Sequence, residues 1–245
     1  KTINGNLLFH GCIPLDENGQ LQSVNIAGTD YSGKALLDKL DEIANKAYFM
    51  QPGAEKDYAA DYMWYLWSGA RSPLYGKDKM AFFERYFLDD KKLHKENYNA
   101  YYHFSEQAEV CGRILEMFGL DPERGHIING HVPVKIKNGE KPVKAGGKLF
   151  VIDGGISKAY QKATGIAGYT LIYDSHSLNL AEHKPFVAGE SEHTPEIHLV
   201  ERLERRANIS DTDKGAELLE QINDLRELLR AYRSGEIKES GRRVN

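Results

Sequence analysis

The chain has 245 residues, of which 41% are hydrophobic and 28% charged, and its formal net charge is −4 at pH 7. This composition can bury a core, but the slightly acidic charge excludes a broad basic field, so we expect no general nucleic-acid binding. Two cysteines are too few for a disulfide framework and favour a cytoplasmic location, and the absence of a run of ~18 apolar residues argues against a membrane span.

The first predicted element is a strand at residues 7–14 (LLFHGCIP), an apolar run in which His10 stands beside a glycine. Residues 28–35 (GTDYSGKA) then show the G-x4-G-K spacing of a nucleotide-binding P-loop. Position 35 is alanine, where that loop needs a hydroxyl for Mg²⁺, and no clear strand precedes Gly28. The favoured interpretation is therefore a helix capped by Asp30 or Ser32.

Four helices are predicted next, at residues 33–50, 58–67, 79–87 and 105–118. A second histidine strand follows at residues 127–137 and contains His131 after a glycine. The Asn-Gly pair at 138–139 predicts a hairpin that Ile136 and Val143 flank. Further strands are predicted at 148–152 and 169–174, with 175–180 as a returning partner, so we expect an α/β chain with a large helical insertion.

The C-terminal segment predicts a long amphipathic helix. Ser210 and Asp213 fit a capping box, and apolar side chains then recur at spacings of four, three, four and three, namely Leu218, Ile222, Leu225, Leu229 and Tyr232. Two interpretations stay open for this apolar stripe. The helix packs on its own domain, which we favour, or it pairs subunits in a homo-oligomer.

Each histidine after an apolar strand is, taken alone, most simply a packed or capping residue. Together, in this order and about 120 residues apart, His10 and His131 resemble the last two metal-ligand motifs of the calcineurin-like binuclear metallophosphoesterases. The resemblance implies that both bind the same divalent ion, Mn²⁺ or a similar metal, in a two-ion site. Neutral imidazole suits such ions.

Longer motifs resemble the C-terminal portion of the class III fructose-1,6-bisphosphatases of Firmicutes. They lie at residues 65–68 (YLWS), 72–77 (SPLYGK), 80–87 (MAFFERYF), 130–135 (GHVPVK), 151–161 (VIDGGISKAYQ) and 165–171 (GIAGYTL). The resemblance implies a calcineurin-like layered β-sandwich flanked by helices over residues 1–207, with the insertion at about 30–120, and a separate helix and tail at 208–245. It also implies a metal-dependent phosphomonoesterase of gluconeogenesis that converts fructose 1,6-bisphosphate to fructose 6-phosphate.

Of the superfamily's earlier ligand motifs, G-D-x-x-D-R-G and G-N-H-[DE] do not occur in these residues, and D-x-H occurs only at residues 174–176, after His131 and not before His10. The resemblance therefore implies that the remaining ligands come from an N-terminal part of the same protein, and we expect the isolated chain to have little activity. Pro133 stands where many members carry a second metal histidine, which leaves the other ion to that N-terminal part.

Four residues are candidates for binding the substrate phosphate. Gly154 and Gly155 follow a predicted strand and could form a backbone anion site with Lys158 beside it, and Arg71 follows a Trp-Ser pair. A tight turn with an exposed lysine explains the first group equally well. Three alternatives to the phosphatase stay open: a related metallophosphatase with another substrate, a P-loop nucleotide-binding module and a noncatalytic association domain.

Overall fold

The computed structural model describes residues 1–155, 157–166, 168–184 and 194–238, with backbone alone for residues 158–160. The chain divides into two compact units. The first contains Lys1–Leu171 and Leu180–His198, and the second contains Ile172–Asn179 and the chain from Leu199 onward. No helix within the described residues is long and apolar enough to cross a bilayer.

Helices and strands alternate along the chain, as expected for a mixed α/β protein, and this predicted class is confirmed. The strands in chain order are β1 (Thr2–Ile3), β2 (Asn6–His10), β3 (Val24–Ile26), β4 (Thr29–Tyr31), β5 (Ile127–Gly130), β6 (Val143–Lys144), β7 (Leu149–Val151), β8 (Gly168–Tyr173), β9 (Ser177–His183) and β10 (Glu196–Arg202). The helices are α1 (Gly33–Phe49), α2 (Ala54–Ser68), α3 (Phe82–Phe87), α4 (Tyr101–Phe104), α5 (Ala108–Met117), α6 (Lys158–Thr164) and α7 (Asp213–Ser234). The layered sandwich of the calcineurin-like fold stays a prediction.

The main sheet has the order β1-β2-β5-β7-β6. Strands β2, β5 and β7 run parallel, while β1 and β6 pair antiparallel at the two edges. Strands β5 and β7 carry nearly continuous buried side chains, such as Ile127 and Phe150, because a central parallel strand is covered on both faces. A second sheet has the order β10-β9-β8.

The helical insertion between β2 and β5 has its own core. Leu36, Leu40 and Ile43 of α1 pack with Leu66 of α2, at the four- and three-residue spacing of one helix face. The insertion therefore folds around buried leucine and isoleucine side chains. The strands that precede and follow it in the sequence, β2 and β5, are neighbours in the main sheet.

The P-loop-like segment is a hairpin turn followed by a helix start. Ala27 and Gly28 have φ of 51° and 87° between β3 and β4, the geometry of a tight hairpin turn. Ser32 is the N-terminal capping position of α1, without a side-chain hydrogen bond to the helix. The Lys34 ammonium pairs with Asp38 one turn along the same helix, so this segment shows an ordinary helix entry.

The hairpin predicted around residues 138–139 is wrong. Residues Ile136–Asn138 form a single 3-10 turn that ends at Gly139, where φ is 79°. The Lys135 amide and the Glu140 side chain close this turn through a 3.0 Å hydrogen bond. Val143 pairs instead with Phe150 of β7. The predicted strand at 127–137 therefore ends at Gly130, because the chain turns away from the sheet at His131.

The predicted capping box at Ser210 and Asp213 is also wrong. Asn208 and Asp211 form the box two residues earlier, on a 3-10 turn, and Thr212 caps α7 by accepting a hydrogen bond from the Gly215 amide. The predicted amphipathic helix itself is present as α7. Its stripe residues keep between 40% and 64% of their surface exposed, and the choice between packing on its own domain and pairing subunits stays a prediction.

Candidate metal site at the edge of the parallel sheet

The carboxyl ends of the three parallel strands lie side by side, and we call this side of the main sheet its carboxyl edge. His10 closes β2 and lies in register with Gly130, the last residue of β5, while Asn129 lies in register with Val151 of β7. Side chains just beyond these strand ends are brought together whatever their separation in sequence. This edge is where open parallel sheets usually place their ligands.

His10 and His131 face each other at this edge. The Nδ1 atom of His131 lies 3.2 Å from the Nε2 atom of His10, and the two rings are nearly perpendicular, with centroids 5.1 Å apart. The other ring nitrogen of His131, Nε2, lies 3.1 Å from the carbonyl oxygen of Tyr75. The structure thus brings the two predicted ligand residues together, although their binding of a metal stays a prediction.

The backbone at His131 is unusual. Its φ is 89°, in the left-handed region that costs a residue with a Cβ about 1–2 kcal/mol. This conformation turns the chain sharply after β5 and places the imidazole over the strand ends. Gly130 contributes to the same close approach, since a Cβ there would lie 3.2 Å from Nδ1 of His10.

Asp153 holds the His131 turn. One carboxylate oxygen accepts the His131 amide at 3.1 Å, and the other accepts the Gly155 amide at 3.0 Å. The Asp153 carbonyl also accepts the amide of Val134 at 2.8 Å. By accepting the amides of His131 and Val134, Asp153 fastens residues 131–134 to the chain just beyond β7.

The loop before the helical insertion's third helix closes the site from the other side. Gly11 has a φ of 92°, and a Cβ there would lie 2.1 Å from the carbonyl oxygen of Pro73. The Pro73 carbonyl accepts the Cys12 amide at 2.7 Å. This contact explains the glycine after His10: only a residue without a side chain lets the Pro73–Tyr75 segment come so near the histidine pair.

The surroundings of His131 favour its neutral form. Burial lowers the pKa of its imidazole below the ordinary value, and the adjacent His10 and Lys77 act in the same direction, against the Tyr75 carbonyl and Asp153. A neutral ring has one nitrogen lone pair to offer a cation. Because the Tyr75 carbonyl can only accept, Nε2 of His131 carries the proton and Nδ1 carries the lone pair.

The distance between the two facing nitrogens is compatible with one shared metal ion. With bonds of ~2.0–2.2 Å and ligand angles of about 90–110°, two nitrogens on one ion are separated by about 2.8–3.6 Å. The observed separation of 3.2 Å lies within that range. A backbone carbonyl on the second nitrogen of His131 is also typical of metal histidines. Among the described residues no cluster of three or more His, Cys, Asp or Glu side chains is placed to hold an ion, and metal binding by the pair stays a prediction.

The predicted phosphate-binding residues are placed differently from one another. Arg71 is exposed, and its guanidinium lies 3.5 Å from the Ser23 carbonyl. Gly154 packs tightly, since a Cβ there would lie 2.6 Å from Cα of Gly168. Gly155 has a φ of 79°, and its amide is already donated to Asp153. The Lys158 side chain lies outside the described residues, although its backbone begins α6. None of these contacts tests phosphate binding.

Three residues at this edge are not indicated as functional by the sequence. Tyr75 contributes a backbone carbonyl, which no side-chain motif can signal, and Asp153 stands out only as the start of a glycine turn. Lys77 is the cation whose charge acts on His131, and its ammonium forms a 2.7 Å pair with Glu96. The position of Asp153 directly after a buried strand is the one signal that draws attention to it.

A histidine pair with a metal-compatible spacing, at the carboxyl edge of a mostly parallel sheet, places the chain in the class of mixed α/β proteins with a candidate metal site. Comparison with known families is more specific. A family model described as Firmicute fructose-1,6-bisphosphatase matches residues 1–234. The chain belongs to this family.

Individual relatives agree with the family match. The chain is 54% identical over 244 residues to the fructose-1,6-bisphosphatase class 3 of Clostridium botulinum strain Alaska E43, covering 97% of this chain and 37% of that protein. It is 51% identical over 243 residues to the protein of the same name from Clostridioides difficile, covering 96% of this chain and 37% of the relative. The chain thus spans little more than a third of the length of these relatives. No solved structure matches it significantly.

Proposed function

We propose that this chain is part of a metal-dependent phosphomonoesterase that hydrolyses fructose 1,6-bisphosphate to fructose 6-phosphate and phosphate. The observation that carries the proposal is the histidine pair, with facing nitrogens 3.2 Å apart, in a chain that belongs to the Firmicute fructose-1,6-bisphosphatase family. The substrate assignment rests on the names of the relatives, which are class 3 fructose-1,6-bisphosphatases.

In this proposal Nε2 of His10 and Nδ1 of His131 hold one divalent ion, with Mn²⁺ as the favoured metal. A divalent pair, when bound, neutralises the phosphate charge and lowers the pKa of a bound water. The chain's own contribution is positional. The sheet register fixes His10, and the Tyr75 carbonyl fixes the tautomer of His131, so that Nε2 of His10 and Nδ1 of His131 face one place.

The remaining ligands are proposed to come from a part of the enzyme outside these residues. Two neutral imidazoles carry no negative charge, and two divalent ions need carboxylate ligands to be held against water. The relatives are more than twice as long as this chain, which leaves room for such residues. We therefore expect the isolated chain to bind metal weakly and to show little activity.

The cellular setting follows from the proposed reaction. Its product is an intermediate of hexose synthesis, so we place the enzyme in gluconeogenesis and in the cytoplasm. Two buried, unpaired cysteines, Cys12 and Cys111, agree with a reducing compartment.

We also propose that α7 pairs subunits. Its apolar stripe remains exposed, with Leu225 at 64% and Leu229 at 48%, and apolar stripes of this width are normally covered. Light scattering of the whole enzyme and of a Leu225→Glu variant tests this proposal. A smaller mass for the variant supports pairing, and an unchanged mass with a lowered melting temperature shows that the helix packs within one subunit.

The decisive experiment for the reaction is an assay of the whole enzyme. Fructose 6-phosphate release is measured with added Mn²⁺, with a chelator, and with Mn²⁺ restored. We expect activity that the chelator removes and Mn²⁺ returns. The same preparation is offered other sugar bisphosphates and a phosphorylated peptide. A higher kcat/KM for one of these compounds would mean that the substrate belongs to the class of that compound. The proposed metal chemistry would still stand.

A further inference from the structure

The left-handed backbone of His131 needs a restraint, because a residue with a Cβ does not hold a φ of 89° without compensating contacts. Rotating this backbone back to an ordinary conformation would swing the imidazole away from His10. The direction in which Nδ1 of His131 points therefore depends on the contacts that hold this turn.

Those contacts converge on Asp153. Its two carboxylate oxygens accept the amides of His131 and Gly155, and its carbonyl accepts the amide of Val134. The first bond acts on the strained residue itself, and the bond to Val134 fixes the chain three residues further on. The bond from Gly155 holds the Asp153 carboxylate within its own turn. Asp153 is anchored in turn by its place after β7, where its backbone pairs with Gly168.

We propose that Asp153 is a positioning residue, which holds His131 in its left-handed conformation and so aims Nδ1 at the metal ion. The inference rests on the proposed function, since it assumes that His131 binds the ion. Asp153 itself is not assigned as a ligand, because both of its carboxylate oxygens are engaged by backbone amides.

A matched control exists in the chain. The Asp174 carboxylate also accepts two backbone amides, those of His176 at 2.7 Å and Ser177 at 2.8 Å, in the turn between β8 and β9. Asp174→Ala removes the same chemical group, whose hydrogen bonds join residues of one hairpin, and no metal-ligand candidate depends on it. It therefore measures what such a loss does to folding alone.

The test measures Mn²⁺ binding by the whole enzyme without substrate, by electron paramagnetic resonance titration, together with the melting temperature of each variant. We expect Asp153→Ala to raise the Mn²⁺ dissociation constant by about tenfold or more, the lower end for residues that orient a ligand. Asp153→Asn, whose single oxygen keeps one of the two bonds, should show a smaller increase. It replaces the alanine variant in the test if the melting temperature shows that the alanine variant is unfolded. Asp174→Ala should bind Mn²⁺ as the unchanged enzyme does.

The outcomes separate this inference from the function it rests on. If His131→Ala weakens Mn²⁺ binding but neither Asp153 variant does, Asp153 is structural and the inference is overturned while the metal site stands. If His131→Ala binds Mn²⁺ normally, the proposed metal site is wrong, and the positioning role is overturned with it. Equal losses of affinity in the Asp153 and Asp174 variants would also overturn the positioning role, because they would reflect folding alone.

Discussion

The Nε2 atom of His131 lies 3.1 Å from the carbonyl oxygen of Tyr75. A carbonyl accepts and never donates, so this contact fixes the proton on Nε2 and leaves the lone pair of a neutral ring on Nδ1. That lone pair faces His10, 121 positions away in sequence. A backbone group from the helical insertion thus determines which nitrogen of a strand-end histidine is available to a cation.

The tautomer can be observed directly. In the metal-free protein at neutral pH, the nitrogen-15 spectrum should show His131 protonated at Nε2 and unprotonated at Nδ1, because the Tyr75 carbonyl favours that form. His10 should then donate from Nε2 to His131. Adding diamagnetic Zn²⁺ should shift Nδ1 of His131 and Nε2 of His10 together. A His131 signal with the proton on Nδ1 would contradict the assignment.

Gly11 should tolerate no side chain. In Gly11→Ala the new Cβ would lie 2.1 Å from the Pro73 carbonyl, and φ is 92°. We expect a loss of more than about 3 kcal/mol in the free energy of unfolding, since steric overlap adds to a left-handed penalty of ~1–2 kcal/mol. Denaturant titration measures it.

Gly28 is the control for Gly11, because its φ is 87° but no neighbouring atom lies within 4 Å of the place that a Cβ would take. Gly28→Ala should show the conformational penalty alone, about 1–2 kcal/mol. Equal losses in both variants would mean that the Pro73 contact adjusts, and that Gly11 is needed only for its backbone conformation.

Local patterns predict elements better than they predict where those elements end. The four-and-three spacing of Leu36, Leu40 and Ile43 indicates α1, and the structure agrees. Val143, by contrast, pairs with Phe150 and not across the Asn-Gly turn. Three hydrogen bonds around Lys135 and the sharp turn at His131 decide that pairing, and neither is visible as a periodicity.

At the histidine site, too, some residues can be predicted from the sequence and others only from the fold. His10 and His131 are identifiable from strand-end position and resemblance, and parallel pairing brings them together. Tyr75 and Asp153 act through hydrogen bonds that involve the backbone, which depend on how distant segments fold back. The sequence therefore predicts the groups that would bind a metal, and only the structure reveals the groups that orient them.

Glu96 should make stability depend on acid pH. It is 13% exposed and accepts hydrogen bonds from Lys77 at 2.7 Å and from the Ala81 amide at 3.0 Å. Burial alone would raise the pKa of this carboxyl group, but those bonds and the nearby Lys77 and Arg85 charges outweigh it, so the pKa is lowered. The stabilisation is therefore present above the ordinary glutamate pKa of ~4.3 and is lost as pH falls through the lower folded-state value.

We expect Glu96→Gln to lower the free energy of unfolding by about 1–3 kcal/mol at pH 7, the range for hydrogen bonds to charged groups. The difference from the unchanged protein should shrink at acid pH, where Glu96 itself becomes protonated. Urea titrations at several pH values measure this. Glu42→Gln is the control, because Glu42 pairs with Lys39 and Lys46 on an exposed helix face. A pH-independent difference for Glu96→Gln would rule out the ion pair as its cause.

His131 should matter far more for turnover than for folding. In the whole enzyme, we expect His131→Ala to lower the rate by on the order of 10² or more, or to raise the Mn²⁺ concentration required by a comparable factor, because it removes a ligand of an ion that stabilises charge during phosphoryl transfer. Folding should survive, since His131 is only partly buried and alanine can adopt the same left-handed backbone conformation at a similar cost in free energy.

Three measurements on one preparation decide between a metal ligand and a packed histidine: the melting temperature, the specific activity and the Mn²⁺ activation curve. His126 supplies the comparison, because it is a buried histidine, 7% exposed, whose Nδ1 lies 2.9 Å from Oδ1 of Asn6 at the other end of the sheet. His126→Ala should lower the melting temperature and leave the activation curve unchanged. If His131→Ala behaves in the same way, destabilised but fully active at the usual Mn²⁺ concentration, then His131 is a packing residue and the proposed site is wrong.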